Sequence, residues 1–260
     1  MPVEVCADCS GVGWKIIERD GQEGAVRCEC QILERAANLE TKATLPPLYR
    51  NASFDSFQLP QENSLARRDL SQVLHAVRSF SREFPAGRKS GLLLMGDPGT
   101  GKTHLAVAAF RAIMEKGFEG LFFDYQNLLD TIRSGYDKAS GASDREAYRT
   151  VMEAEVLLLD DLGSHRANDW VEDTVTSIIT YRCNNKKPLI ATTNLIDPEA
   201  GYVSYEKSAA SSGNISQKID YRTTLSDRIG PRARSRLFEM CHVIKMPLVE
   251  DYRIRKQTSL

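Results

Sequence analysis

The run Gly96-Asp97-Pro98-Gly99-Thr100-Gly101-Lys102-Thr103 constrains this chain more than any other feature. It follows the apolar stretch GLLLM and precedes HLAVAAFRAIMEK, whose apolar residues recur at helical spacing. Strand, glycine-rich turn, helix is the context in which G-x-x-x-x-G-K-[ST] binds phosphate. The glycines let successive backbone N–H groups turn inward, and the helix N-terminus adds a positive dipole. Lys102 is suited to neutralising the terminal phosphates, and Thr103 offers a hydroxyl to Mg²⁺. The residues from Gly96 to Thr103, with His104 next to them, are therefore assigned to a bound nucleotide.

Other short apolar runs alternate with helical stretches: Leu92 to Met95, Leu121 to Phe123, Val156 to Leu159, Leu189 to Thr192 and His242 to Met246. Five strands separated by helices imply an α/β fold with a parallel sheet sandwiched by helices. A further amphipathic pattern from Ser64 to Phe84 predicts a helix leading into that sheet, ended by Pro85. At 260 residues the chain suits one large domain with a small appendage. Its 34 basic and 35 acidic side chains leave a net charge of −1, which argues against coating duplex DNA by bulk charge. No apolar run is long enough to span a membrane. The N-terminus lacks the basic head and apolar run of a secretory signal, so a cytoplasmic protein is expected.

Two strand ends carry chemistry. Val156 to Leu159 runs into Asp160 and Asp161, where a phosphate-loop enzyme holds its metal. Asp160 is expected to bind Mg²⁺. Asp161 falls where many ATPases place a glutamate that polarises the attacking water, and is assigned as the base. The strand PLIATTN ends at Asn194, an amide able to orient that water or sense the γ-phosphate.

Four of the six cysteines, Cys6, Cys9, Cys28 and Cys30, crowd the first 30 residues. The intervening WKIIERDGQEGAVR reads as two short strands around a turn at Asp20 to Gly24, a hairpin that would bring both cysteine pairs to one centre. In a reducing compartment disulfides are disfavoured, which leaves zinc as the leading reading, with iron–sulfur or redox chemistry and a ligand-free cluster as alternatives. Four thiolates leave no open coordination position, so such a zinc would be structural. Residues 31 to 44 have helical spacing, and Pro46-Pro47 ends it. The boundary is placed there, with a cysteine module over 1–44 and the sheet domain over 45–260. Cys183 and Cys241 are expected to be core thiols. A Ser-rich stretch over 202–218 reads as a mobile insertion.

Near the C-terminus, LSDRIGPRARSRL places Arg228, Arg232, Arg234 and Arg236 within nine residues. Between Arg222 and Lys256 there are nine basic against four acidic residues. Earlier in the chain, Phe122, Phe123 and Tyr125 and then Arg133, Tyr136 and Lys138 interleave aromatic and basic groups, a combination that binds single-stranded nucleic acid. Phe122 and Phe123 are better placed in the core, and Arg133, Tyr136 and Lys138 at DNA.

Taken in order, LPPLYRNASFDSF, GDPGTGKTHLA, LLLDDLG, ATTN and LSDRIGPRARSRL resemble the AAA+ ATPases. Within that class the pattern is similar to the DnaC/DnaI-type bacterial helicase loaders and their IstB-type relatives that assist transposition. The resemblance covers roughly residues 45 to 248. It implies ATP as the nucleotide, with Tyr49 and Arg50 beside the base and Phe54 and Phe57 packing nearby. It also implies an arginine that completes a neighbouring subunit's ATP site, placed first on Arg228 and second on Arg232. The partners implied are a replicative helicase and single-stranded DNA, with self-association through the ATP site. The rival readings are a transposition helper and a nucleotide-dependent scaffold that does not hydrolyse ATP. Two departures stand out: Asp161 replaces the commoner glutamate, and the stretch from Leu195 to Thr224 is longer than usual.

Overall fold

The computed structural model describes residues 6–10, 12, 14–19, 22–28, 30, 39, 42–134, 143–199 and 223–253. Most of the 31–44 helix, the 202–218 insertion, Tyr136 and Lys138 lie outside the described residues.

Trp14–Arg19 (β1) and Gln22–Arg27 (β2) form an antiparallel hairpin, with Arg19 opposite Gln22. The connection is two residues, shorter than the five-residue turn read from the sequence, because Gln22 to Gly24 already pair with β1.

The main body contains α1 (Ser64–Glu83), β3 (Gly91–Met95), α2 (Lys102–Glu115), β4 (Gly120–Asp124), α3 (Tyr125–Ser134), α4 (Ser143–Glu153) and β5 (Val156–Asp160). It continues with α5 (Asp169–Asn184), β6 (Leu189–Thr193), α6 (Leu225–Ile229), α7 (Pro231–Met240) and β7 (Cys241–Lys245). Five strands pair in parallel in the order β4-β5-β6-β3-β7. Each expected strand appears within a residue or two of its apolar run.

Strands β3, β5 and β6 are buried along their whole length, as a parallel sheet covered on both faces requires. Side-chain alternation divides the core in two. Leu92, Leu94, Leu158 and Ile190 face α1 and α2, while Leu93, Met95, Leu157, Leu159 and Ala191 face α3 to α7. Truncating one of these leucines to alanine would cost about 2–5 kcal/mol. Cys241 is buried and Cys183 half-buried against the second of these faces.

Helix ends follow their caps. Asn63 and Asn168 accept hydrogen bonds from Ala66 N and Val171 N, both at 3.0 Å. Thr224 and Asp227 form a reciprocal capping box on α6.

The amino-terminal edge of the sheet is closed by Arg182 of α5, which is completely buried. Its guanidinium donates to the carbonyls of Val151 at 3.0 Å and Ala154 at 2.9 Å, and also to Pro188 O. It thereby ties the end of α4 to the starts of β5 and β6. At the β4 edge, Phe122 N donates to Ala43 O at 2.9 Å and Thr44 Oγ1 to Phe122 O at 2.9 Å. Leu39 and Ala43 are buried in the core on the α1 and α2 side. The sheet body thus gathers residues ahead of position 45.

Among the described residues no helix is long and apolar enough to cross a membrane.

Candidate functional site

The carboxyl ends of β3, β5 and β6 converge, the usual location of a ligand in an open α/β sheet. After β3 the chain turns through Gly99 and Gly101, both at positive φ (77° and 93°), and Gly101 caps α2. Lys102 is buried, and its Nζ donates to Asp97 O at 2.8 Å, as does Thr100 Oγ1 at 2.8 Å. Burial lowers the Lys102 pKa to about 8, although Asp161, Asp160 and Asp97 pull the other way.

Each glycine of the loop is also packed from outside. A Cβ on Gly96 would lie 2.5 Å from Met246 Cβ, and one on Gly101 would lie 2.7 Å from the Phe57 ring. One on Gly99 would lie 2.1 Å from the Asp251 carboxyl carbon. Glycine is thus favoured at 96 and 101 by neighbouring protein and at 99 and 101 by the positive φ.

Asp160 ends β5, is 8% exposed, and accepts from Thr103 Oγ1 at 2.9 Å and Thr192 Oγ1 at 2.6 Å. Burial raises its pKa, and the two hydroxyl hydrogen bonds oppose that shift. Asp161 has φ 55°, its N–H donates to Thr192 Oγ1 at 2.9 Å, and its Oδ1 accepts from Asn194 Nδ2 at 2.8 Å. One threonine therefore spans both carboxylate residues. The sequence reading passed over Thr192, although two threonines ending an otherwise apolar inner strand were a visible signal.

The structure brings Lys102, Thr103, Asp160, Asp161 and Asn194 into one cluster. Tyr49 joins it, with its hydroxyl sharing a hydrogen bond with Thr103. Burial is the main cause of its raised pKa, followed by the Asp160 charge. The tyrosine thus sits near Thr103 and Asp160. Arg50 is exposed, and its guanidinium has no partner among the described residues. His104 Nε2 lies 2.8 Å from Ser53 O and 3.2 Å from Ser56 Oγ, which holds the 51–57 segment against α2. Its ring meets Phe57 edge-on at 5.4 Å. Phe54 instead packs under Arg78, 5.3 Å away.

The chain after β7 returns to the loop, a contact no local sequence pattern announces. Tyr252 N donates to Gly99 O at 2.8 Å, and its ring lies parallel to Phe57 at 6.3 Å. The Arg253 charge acts on both Lys102 and Tyr49.

The four clustered arginines separate by their partners. Arg234 binds buried Asp197 through two bonds of 2.7 Å and also reaches Glu199 at 2.8 Å. Arg236 pairs with Glu239 at 2.6 Å. Arg228 is half-buried and donates to His165 O at 3.2 Å in its own chain. Arg232, in the first turn of α7, is exposed and has no partner among the described residues.

In the hairpin module the four thiols lie together. Cys6 Sγ is 3.8 Å from Cys28 Sγ and Cys9 Sγ is 3.4 Å from Cys30 Sγ, with all four sulfurs within 4.8 Å of one another. A tetrahedron with metal–sulfur bonds of about 2.3 Å has edges of about 3.8 Å, so the spacing fits a four-thiolate metal such as zinc. Hydrogen bonding from Cys9, then Cys28, pushes the Cys30 thiol up to about 12.

The IstB-like ATP binding protein family matches residues 26–202, more than half of the chain. The chain belongs to that family. A crystal structure of the DnaC helicase loader is 32% identical, with a TM-score of 0.59 over 78% of this chain and 100% of that one. The crystal structure of DnaI, at 19% identity and a TM-score of 0.55 over 81% of this chain and 95% of that one, shares the fold. In sequence, the replicative helicase loader DnaC of Escherichia coli (strain K12) is 23% identical over 186 residues, covering 70% of this chain and 73% of its own. The phage-like element PBSX protein XkdC of Bacillus subtilis (strain 168) is 24% identical over 196 residues, covering 73% of this chain and 71% of its own. The five-stranded parallel sheet is of the AAA+ type, in an ATP-binding family.

Proposed function

We propose that this chain is an ATP-hydrolysing loader that delivers a replicative DNA helicase to single-stranded DNA during DNA replication. The observation that carries the reading is the likeness to the DnaC helicase loader over the whole of that chain, at 32% identity. The strand-end cluster of Asp160, Asp161 and Asn194 supplies the chemistry.

Thr103 and Asp160 hold Mg²⁺, which neutralises phosphate charge when bound. The loop amides and Lys102 bind the β- and γ-phosphates, and Arg253 adds a cation from the same chain. Asp161 takes a proton from the attacking water, and Asn194 fixes the Asp161 carboxylate through their 2.8 Å hydrogen bond. Arg232, exposed and without a partner among the described residues, is the arginine offered to a neighbour's ATP site, where a guanidinium spreads transition-state charge. Self-association through that site makes hydrolysis a timed switch. This reverses the order given by the resemblance, because Arg228 is already engaged at His165 O.

Single-stranded DNA is assigned to the end of α3. Arg133 is exposed there and lies 5.7 Å from the centre of the Trp170 ring, a cation beside a stacking surface. Cys6, Cys9, Cys28 and Cys30 hold Zn²⁺, and the module over 1–44 grips the helicase, while 45–260 carries ATP and DNA. Residues 39 to 44 pack with the latter, so a separating cut belongs ahead of Leu39. The protein works in the cytoplasm, where its partners are.

The test is loading itself. Helicase, single-stranded DNA and this protein with ATP should give strand unwinding that exceeds helicase alone by at least about tenfold, and Lys102→Ala should abolish the gain. A chain starting near residue 31 should still bind ATP but fail to retain the helicase in a pull-down. The family match keeps a transposition helper as the second reading. Failure of the full-length protein to capture helicase, with capture of a transposase instead, would decide for it.

A further inference from the structure

Asp161 is held in an uncommon conformation. It has φ 55°, and Gly163 two residues later has φ 85°, so the turn leaving β5 contains two left-handed residues. That conformation is uncommon for a residue with a side chain, aspartate adopting it more readily than most, and contacts around Asp161 hold it there. Three contacts do so from β6 and within the turn: Asp161 N to Thr192 Oγ1 at 2.9 Å, Leu162 N to Thr192 O at 2.8 Å, and Ser164 N to Asp161 O at 3.0 Å. The far side of the turn rests on one side chain from α6, Arg228. Its Nη1 donates to His165 O at 3.2 Å, and its Cβ lies 3.2 Å from where a Gly163 Cβ would stand. Leu195, beyond the end of β6, closes on the same glycine, at 2.5 Å from that position.

We infer that Arg228 is a positioning residue acting within its own chain: it braces the 161–165 turn and so aims the Asp161 carboxylate. This rests on the proposed role of Asp161 in hydrolysis. It separates two arginines that the sequence presents as equivalent, Arg228 fixing the turn in cis and Arg232 reaching the neighbour.

A second feature gives the brace a reach beyond the turn. Arg228 Nε and the Tyr125 hydroxyl are both buried and, like Arg182 Nε, have no hydrogen-bond partner among the described residues. Buried polar atoms are paired in the great majority of cases. Tyr125 is the first residue of α3 and only 1% exposed, and the Arg228 charge acts on its phenol. The turn holding Asp161 and the first residue of α3 are thus both under the influence of the Arg228 guanidinium.

The test compares three variants of the full chain, each with ATP binding, steady-state ATPase and mixing measured. Arg228→Ala should lower kcat at least about tenfold, with ATP affinity and KM within about threefold of wild type. Arg228→Lys, which keeps a donor for His165 O, should regain at least about a third of the lost rate. Mixed with Lys102→Ala subunits, Arg228→Ala should stay at its own low rate, whereas Arg232→Ala mixed in the same way should recover. Recovery of Arg228→Ala on mixing would overturn the inference and make Arg228 the trans arginine. A parallel loss of ATP binding and thermal stability, unrelieved by lysine, would overturn it in favour of a purely structural side chain. The underlying reading is checked apart from this: if Asp161→Asn hydrolyses ATP at the wild-type rate, the base assignment fails whatever Arg228 does.

Discussion

Lys102 and Arg182 are both buried cations, placed at opposite edges of the same sheet. Both terminal nitrogens of Arg182 donate to backbone carbonyls from the end of α4 and the connections entering β5 and β6, and only Nε is left without a partner among the described residues. Those carbonyls include the last turn of a helix, which has no intrahelical partner of its own. Lys102 carries three donors, and among the described residues only Asp97 O accepts from it, at 2.8 Å. Three carboxylates lie close enough to act on its charge without forming an ion pair with it. A buried cation with most of its donors spent on backbone carbonyls holds a fold together. One with donors to spare, at the carboxyl edge of the sheet, is set up for an anionic ligand.

The largest expected effects break that comparison in opposite ways. Arg182→Met should destabilise the protein by about 3–5 kcal/mol, because the carbonyls it serves lose their donor in a buried setting. Equilibrium denaturation measures this, and the surviving folded fraction should bind ATP normally. Lys102→Ala should do the reverse, abolishing ATP binding by calorimetry while leaving the melting temperature within a few degrees.

Next in size is the separation of binding from chemistry. Asp161→Asn should retain ATP affinity within about threefold and lower kcat by about 10²–10⁴, the range for a lost general base. Single-turnover measurement distinguishes this from slowed product release.

The cysteine cluster extends the comparison, since its four sulfurs lie within 4.8 Å of one another, close enough to share one cation. Protein purified with zinc present should carry one zinc per chain, lost in Cys6→Ser or Cys28→Ser. The loss should unfold the hairpin and leave ATP affinity within about twofold. Less than about a tenth of an equivalent of metal would remove the zinc assignment.

The smallest effect is on pH dependence. Burial holds Lys102 at about 8 before ligand arrives, and bound phosphates would raise it again. Above pH 8 the free protein must take up a proton to bind ATP. Affinity should therefore fall as pH rises from 8 toward 10, by up to about tenfold per unit. Below pH 7 it should be flat with respect to this lysine. Calorimetry in buffers of different ionisation enthalpy reads the proton uptake directly, and a flat profile between pH 8 and 10 would count against the buried-lysine account.

Much of the fold was legible in advance because it is written in local chemistry. Short apolar runs spaced by helical stretches read as the strands of a covered parallel sheet, and a glycine-rich loop between strand and helix has few alternatives. Asp160, Asp161 and Asn194 were legible for a related reason: polar groups ending buried strands sit at a sheet edge by construction. The same holds for the cysteine quartet, where two close pairs joined by a hairpin must meet.

What the chain alone left undecided depends on contacts between distant positions. Asp197 neutralises Arg234, and Glu239 neutralises Arg236, so of four neighbouring arginines Arg228 is braced against His165 O and Arg232 has no partner among the described residues. Thr192 joins two carboxylate residues only because β5 and β6 are adjacent in the sheet. Tyr49 reaches Thr103, Phe57 covers Gly101, and Asp251 covers Gly99 because the chain returns to the phosphate loop from both ends. Residue type and spacing determined which chemistry this protein could host. Tertiary packing decided which side chains were left unpaired to perform it, because pairing depends on proximity in space that spacing along the chain does not encode.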